Sequence, residues 1–230
     1  MERVDAGDLC IRGATGEAPS FVLVGDSHAY AISWGVFAAA ARAGFSGYQF
    51  TANSYRPLPG IRMEKRRLEE LTVRFVEFLR EHPSLRIVVL VGYWQRQATG
   101  ESYRKEPRIF SDDDYDGSGL AYNKISFQRG LQRLVDTFPD RRFIIVEDVP
   151  VGLEFRYAFR ALHVQNVLGR GLARSEPINI GISRQEYERQ LASYRPILTA
   201  VARSPNVSIV PLIDQRVCAD CRVFLAWVHA

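Results

Sequence analysis

A serine two residues beyond a glycine that closes an apolar run is the sharpest chemical signal in the sequence. Phe21-Val-Leu-Val24 has the length and character of a buried strand, and Gly25 ends it. Asp26-Ser27-His28 then leads into an Ala-rich stretch, residues 29–43, that reads as a helix stopped by Gly44. A strand, a tight turn and a helix in that order set the turn's backbone N–H groups at a helix N-terminus. A developing oxyanion is stabilised there, which makes Ser27 a candidate nucleophile. Asp and Ser are also preferred helix caps, because their side-chain oxygens accept first-turn N–H groups. Local physics alone supports capping and catalysis alike.

Other chemistry-bearing residues give weaker patterns. Asp112-x-Asp114-x-Asp116-Gly117 resembles the front of an EF-hand loop. Its twelfth position is Asn123 rather than a bidentate Glu, and no helix precedes it, so the ordinary reading is a solvated acidic loop and no metal is assigned. Cys10, Cys218 and Cys221 are too few for a four-Cys zinc site. Cys218-Ala-Asp-Cys221 follows the last predicted strand, whereas a thioredoxin-type motif opens a helix after an early strand. The pair reads as a structural disulfide, or as one member bridging to Cys10. Among the histidines, His28 is expected to hydrogen-bond within its own turn. His82 falls at a helix C-terminus, where a cation suits the dipole. His163 lies in a helical stretch as a structural residue, with a fallback role as base.

The elements that position these residues alternate along the whole chain. Strands are predicted at 21–24, 47–52, 86–91, 142–146 and 207–210. The clearest helix is 64–81, where Leu68, Leu71, Phe75, Phe78 and Leu79 recur at helical spacing. Further helices are predicted over 123–138 and, in part, 154–174. Ser183 with Glu186 forms a capping box that opens a helix to about residue 203. Residues 93–119 read as a long polar loop. Such alternation predicts a doubly wound α/β domain with a five-stranded parallel sheet in flavodoxin-like order, a three-layer sandwich with its site at the carboxyl ends of the strands.

Composition bounds the function. The chain has 230 residues, 47% of them hydrophobic, which suits one domain with a sizeable core. The net charge of +4 is spread out, and no basic stripe is interleaved with aromatics, so nucleic acid is not an expected partner. No apolar run approaches the ~20 residues of a membrane span, and the first residues do not form a signal peptide. Read alone, the chain is expected to be soluble.

The run from Phe21 to Ala29 resembles the first block of the SGNH (GDSL-like) hydrolase superfamily. Gly-Asp-Ser-His-Ala is similar, more narrowly, to the SGNH domains attached to bacterial membrane acyltransferases of the acyltransferase-3 type, which O-acetylate cell-surface polysaccharides. Ser54-Tyr-Arg-Pro-Leu58 resembles that branch's second block and Val91-Gly92-Tyr93-Trp94 its third. Cys218 and Cys221 fall where the branch carries a cysteine pair.

The resemblance implies Ser27 as nucleophile and oxyanion donor, with Asp26, His28, Gly60, Gly92 and Trp94 as candidate oxyanion and substrate residues. Gly60 is the second-block candidate. Trp94 stands where the wider superfamily has Asn, and serves either as an indole N–H donor or as pocket wall; the wall is favoured, since buried Trp more often packs. The family's last block, Asp-x-x-His, supplies a base, which a serine hydroxyl needs. His229 is the candidate base here, but Ala226 stands three residues before it and Asp220 nine before. The expectation is a single SGNH-like domain over 1–230, a fragment lacking both a membrane acyltransferase module and the Asp-x-x-His block. Implied with it are acetyl transfer through Ser27 from an acyl donor to a carbohydrate hydroxyl, no cofactor, an oxidising periplasmic setting, and a membrane acyltransferase module in the same or a neighbouring chain. The alternatives are an SGNH esterase of acylated carbohydrate or lipid, and a catalytically impaired binding domain.

Overall fold

The computed structural model describes residues 9–62, 66–100, 110–117, 119–148 and 183–211. The five expected strands are β2 (Pro19–Gly25), β3 (Ser46–Thr51), β5 (Ile87–Val91), β7 (Arg142–Val146) and β8 (Val207–Val210). They pair in parallel in the order β3-β2-β5-β7-β8, which is the flavodoxin-like arrangement. A short strand, β1 (Ile11–Gly13), adds an antiparallel edge beside β3. With three residues it is too short to show alternation, so sequence pattern gives no sign of it.

Helices cover both faces because the central strands bury both. On β2, Phe21 and Leu23 face α1 (Ser27–Arg42), which inserts Ala29, Phe37 and Ala40. Val22 and Val24 point the other way, as the period of two requires. They join Leu90, Phe143 and Ile145 under α2 (Arg66–Glu81), α4 (Leu120–Thr137) and α5 (Arg184–Val201). Strands buried on both sides read as continuous Val/Ile/Leu runs, which is why β5 and β7 are legible in the sequence. Of the expected capping box the structure shows the Ser183 half: Ser183 Oγ accepts from Glu186 N at 3.1 Å, while the Glu186 carboxylate pairs with Arg189. The helix expected over 154–174 lies outside the described residues.

The structure corrects the expected loop over 93–119. It contains a short helix, α3 (Trp94–Thr99), and a strand, β6 (Ser111–Asp112), paired with β4 (Ile61–Arg62). α3 buries Trp94, Gln97 and Ala98, an i, i+3, i+4 set. Six residues carry too few such repeats to separate a helix from a loop, and Gln97 disguises the apolar face.

The acidic loop is corrected as well. Asp112 is buried rather than solvated, and its two oxygens accept from Arg129 Nε at 2.8 Å and from Arg133 Nη2. Asp114 also pairs with Arg133, at 3.0 Å. Burial pushes the Asp112 carboxyl up, but the Arg133 and Arg129 bonds and the Asp114 amide outweigh it and hold the carboxyl below its usual range. A depressed folded-state pKa contributes stability that is present above the unfolded value and is lost as pH falls through the folded one. Asp112→Ala removes the buried carboxylate that Arg129 and Arg133 share, leaving Arg133 with Asp114, and is expected to cost about 1–3 kcal/mol at neutral pH. Urea melts at neutral pH and near pH 3 check this; the difference between variant and native should shrink in acid. A neutral-pH midpoint unchanged by the substitution would show that the pair adds no stability.

Candidate active site

The sheet register sets the site. Gly25 lies opposite Thr51 of β3 and Val91 of β5, and Val91 lies opposite Val146 of β7. The turns after β2, β3, β5 and β7 therefore leave from one carboxyl edge. Ser27, the loop at 52–54, Gly92 to Trp94, and Glu147-Asp148 all start from that rim.

The Ser27 turn is built on a close backbone approach. Gly25 has φ +150°, and a Cβ there would lie 1.7 Å from the Val91 carbonyl oxygen. Asp26 follows as the helix N-cap, and its carboxylate holds two strands' turns together. Its Oδ1 accepts from His28 N at 2.8 Å and its Oδ2 from Tyr93 N at 2.9 Å. Ser27 is thus the first residue of a 16-residue helix, exposed at the strand edge. Among the described residues no acceptor takes its N–H. The Asp26 carboxylate claims that of His28 instead, so the helix terminus keeps a donor for an anion beside the Ser27 hydroxyl.

His28 departs from expectation. Its ring does not bond within the turn; Nδ1 lies 2.7 Å from Asp148 Oδ1, at the end of β7, and the ring stacks on Tyr93 with centroids 4.9 Å apart. The reason is direction: successive side chains diverge around the helix, and the second residue of α1 points across β5 toward β7. Burial lowers the His28 pKa, but the Asp148 bond and charge, with Asp26, outweigh it and raise the group above its ordinary value. Asp148 is itself raised, chiefly by burial and further by Asp26, against the lowering contact with His28.

Asp148 is fixed from behind. Its N–H donates to Tyr194 Oη of α5 at 3.1 Å, and the adjacent Glu147 accepts a bidentate pair from Arg195 at 2.7 and 2.8 Å. Sequence reasoning missed Asp148. The available signal was its position two residues past a buried strand, at the edge where sites form.

Trp94 is 1% exposed and donates Nε1–H to the Val146 carbonyl at 2.6 Å while stacking on Phe127. Its indole N–H is spent on the fold, and the residue forms wall beneath the rim. Gly92 gives it room: a Cβ there would sit 3.0 Å from the indole ring. Ser54, with φ 61°, lies in the loop leaving β3 at the same edge. Gly60 lies elsewhere, with φ +74° beside the Arg133 guanidinium, in a groove that Val73, Val76 and Glu77 of α2 line from the other side. The structure therefore brings Asp26, Ser27, His28, Gly92 and Trp94 to one rim, while Gly60 shares its groove with none of them. His163, Cys218, Cys221 and His229 lie outside the described residues. Among those described, no group of three or more His, Cys, Asp or Glu residues is placed to hold a metal ion.

A flavodoxin-like sheet with a Gly-Asp-Ser-His turn at the carboxyl edge of its first parallel strand defines an α/β domain of the SGNH type. The chain belongs to the SGNH domain family described as fused to AT3 domains, whose model matches residues 2–227. That family is of the general hydrolase and acyltransferase kind. No curated protein and no solved structure matches the chain.

Proposed function

We propose that the chain is an acyl-transfer domain in which Ser27 carries the acyl group. The observation that supports this most directly is the exposed Ser27 hydroxyl beside its own backbone N–H, which no acceptor takes among the described residues, on a turn locked by Asp26. In the proposed reaction Ser27 Oγ adds to the carbonyl carbon of an acyl donor, and the hydroxyl proton passes to a base. The Ser27 N–H at the helix start steadies the oxyanion, and the donor's leaving group departs with a proton. A carbohydrate hydroxyl then attacks the Ser27 ester and releases the serine. His229 is the proposed base. The association of the family with AT3 domains supports a membrane acyltransferase module as the source of the acyl group, in the same or a neighbouring chain, and an extracytoplasmic site. No described helix is long and apolar enough to cross a membrane itself.

The test is partition of an acetyl group. With an activated acetyl ester and an oligosaccharide acceptor, the expected result is acetylated sugar in excess of free acetate. Fluorophosphonate labelling should map to Ser27. Acetate alone, at a rate indifferent to the sugar, would replace the transferase reading with that of an esterase. No labelling of Ser27 would leave a binding domain.

A further inference from the structure

We propose that His28 is a positioning residue for Ser27, which by donating its Nδ1–H to Asp148 fixes the turn that aims the Ser27 hydroxyl and N–H. The inference rests on the reading of Ser27 as nucleophile.

The Ser27 side chain makes no hydrogen bond of its own among the described residues, so its aim is set by its neighbours. Asp26 holds the preceding side through the His28 and Tyr93 amides. His28 holds the following side, and it reaches the far wall of the rim. Its imidazole is clamped between two fixed groups. One is the Tyr93 ring, stacked at an interplanar angle of 15°, whose backbone is tied to Asp26. The other is the Asp148 carboxylate, whose side chain is 4% exposed and whose amide is held by Tyr194. A carboxylate at Nδ1 keeps the proton on that nitrogen. The charged groups around the pair are Asp26 on its own turn, Glu147 beside Asp148, and Arg195, which neutralises Glu147. The latch thus joins the ends of β2 and β7 across β5, and a serine one residue away inherits its geometry. Misplacement on the scale of an ångström at a reacting group is enough to lose rate heavily.

The experiment measures the rate of Ser27 labelling by a fluorophosphonate in the full chain, with circular dichroism and Tm recorded for each variant. An Asn amide nitrogen falls near the place of Nδ1, and a Gln amide nitrogen near that of Nε2. His28→Ala is expected to slow labelling by about 30-fold or more, His28→Asn to recover it to within about 3-fold, and His28→Gln to stay near the alanine variant. His28→Ala combined with Asp148→Ala should be no slower than the slower single variant, since both break one contact.

Labelling of His28→Ala at the native rate would overturn the proposal. Recovery by Gln and not by Asn would also overturn it, because it would place the working hydrogen bond at Nε2 rather than at Nδ1. If the alanine variant does not fold, ¹⁵N NMR of the native imidazole decides. A neutral ring protonated at Nδ1 supports the proposal, and one protonated at Nε2 overturns it. Undiminished labelling of Ser27→Ala would instead defeat the reading of Ser27, and the positioning role with it. Loss of labelling in Ser27→Ala with none in His28→Ala would defeat the positioning role alone.

Discussion

Ser27→Ala is expected to lower kcat/KM on a small activated ester by at least ~10³ while leaving Tm unchanged. The two halves of that expectation have separate causes. Ser27 is exposed and has no side-chain hydrogen bond among the described residues, so its removal costs the fold almost nothing. The Asp26 cap that starts the helix is untouched. What disappears is the hydroxyl that forms the acyl ester in the proposed reaction. Steady-state kinetics of native protein and variant check it, with His229→Ala as the companion. If His229 is the base, its loss should cost about as much as loss of the serine, since members of such a unit act together. Robust activity surviving Ser27→Ala would remove the serine from the chemistry altogether.

Gly25→Ala should be the most damaging single-methyl change near the site. At φ +150° a side chain is strained whatever space surrounds it, and here there is none. The new Cβ would lie 1.7 Å from the Val91 carbonyl oxygen, 2.9 Å from the carbonyl carbon and 3.0 Å from Ala29 Cβ. The first two atoms are backbone of the neighbouring central strand and cannot step aside without parting β2 from β5. A loss of ~4 kcal/mol or more is expected, a large part of the stability of an ordinary domain. Gly44→Ala is the control. Gly44 also has a positive φ, +77°, but nothing stands within 4 Å of its added Cβ. Its cost should stay near ~1 kcal/mol, that of the backbone conformation alone. Urea denaturation of both variants separates the two, and equal midpoints would show that β2 and β5 are not held as closely as described.

The legible parts of the fold were those whose signal is local. β5 and β7 are unbroken apolar runs, and α2 repeats its leucines and phenylalanines over four turns. The α5 cap is written in Ser183 and Glu186. β1, α3 and the β4–β6 pair are too short to carry a period. At the site, the Ser27 turn was visible because a glycine, an acid and a serine stand between a strand and a helix. The partners of that turn were not. Nothing in the sequence near His28 points to Asp148, 120 positions away. Nor does anything near Asp112 announce that Arg129 and Arg133, on the helix that follows, would gather around its carboxylate and bury it.

The same long separations bear on the order in which the protein assembles. Asp26 and Tyr93 are 67 positions apart, and His28 and Asp148 are 120 apart. Closing such loops costs chain entropy before any contact returns it, so parallel strands far apart in sequence pair slowly. Helix α1 can begin to form while β5 and β7 are still unpaired, but the rim around Ser27 cannot. The serine therefore acquires its setting only when the central strands have docked, and a chain stalled before that stage carries the Gly-Asp-Ser-His sequence without the rim around it.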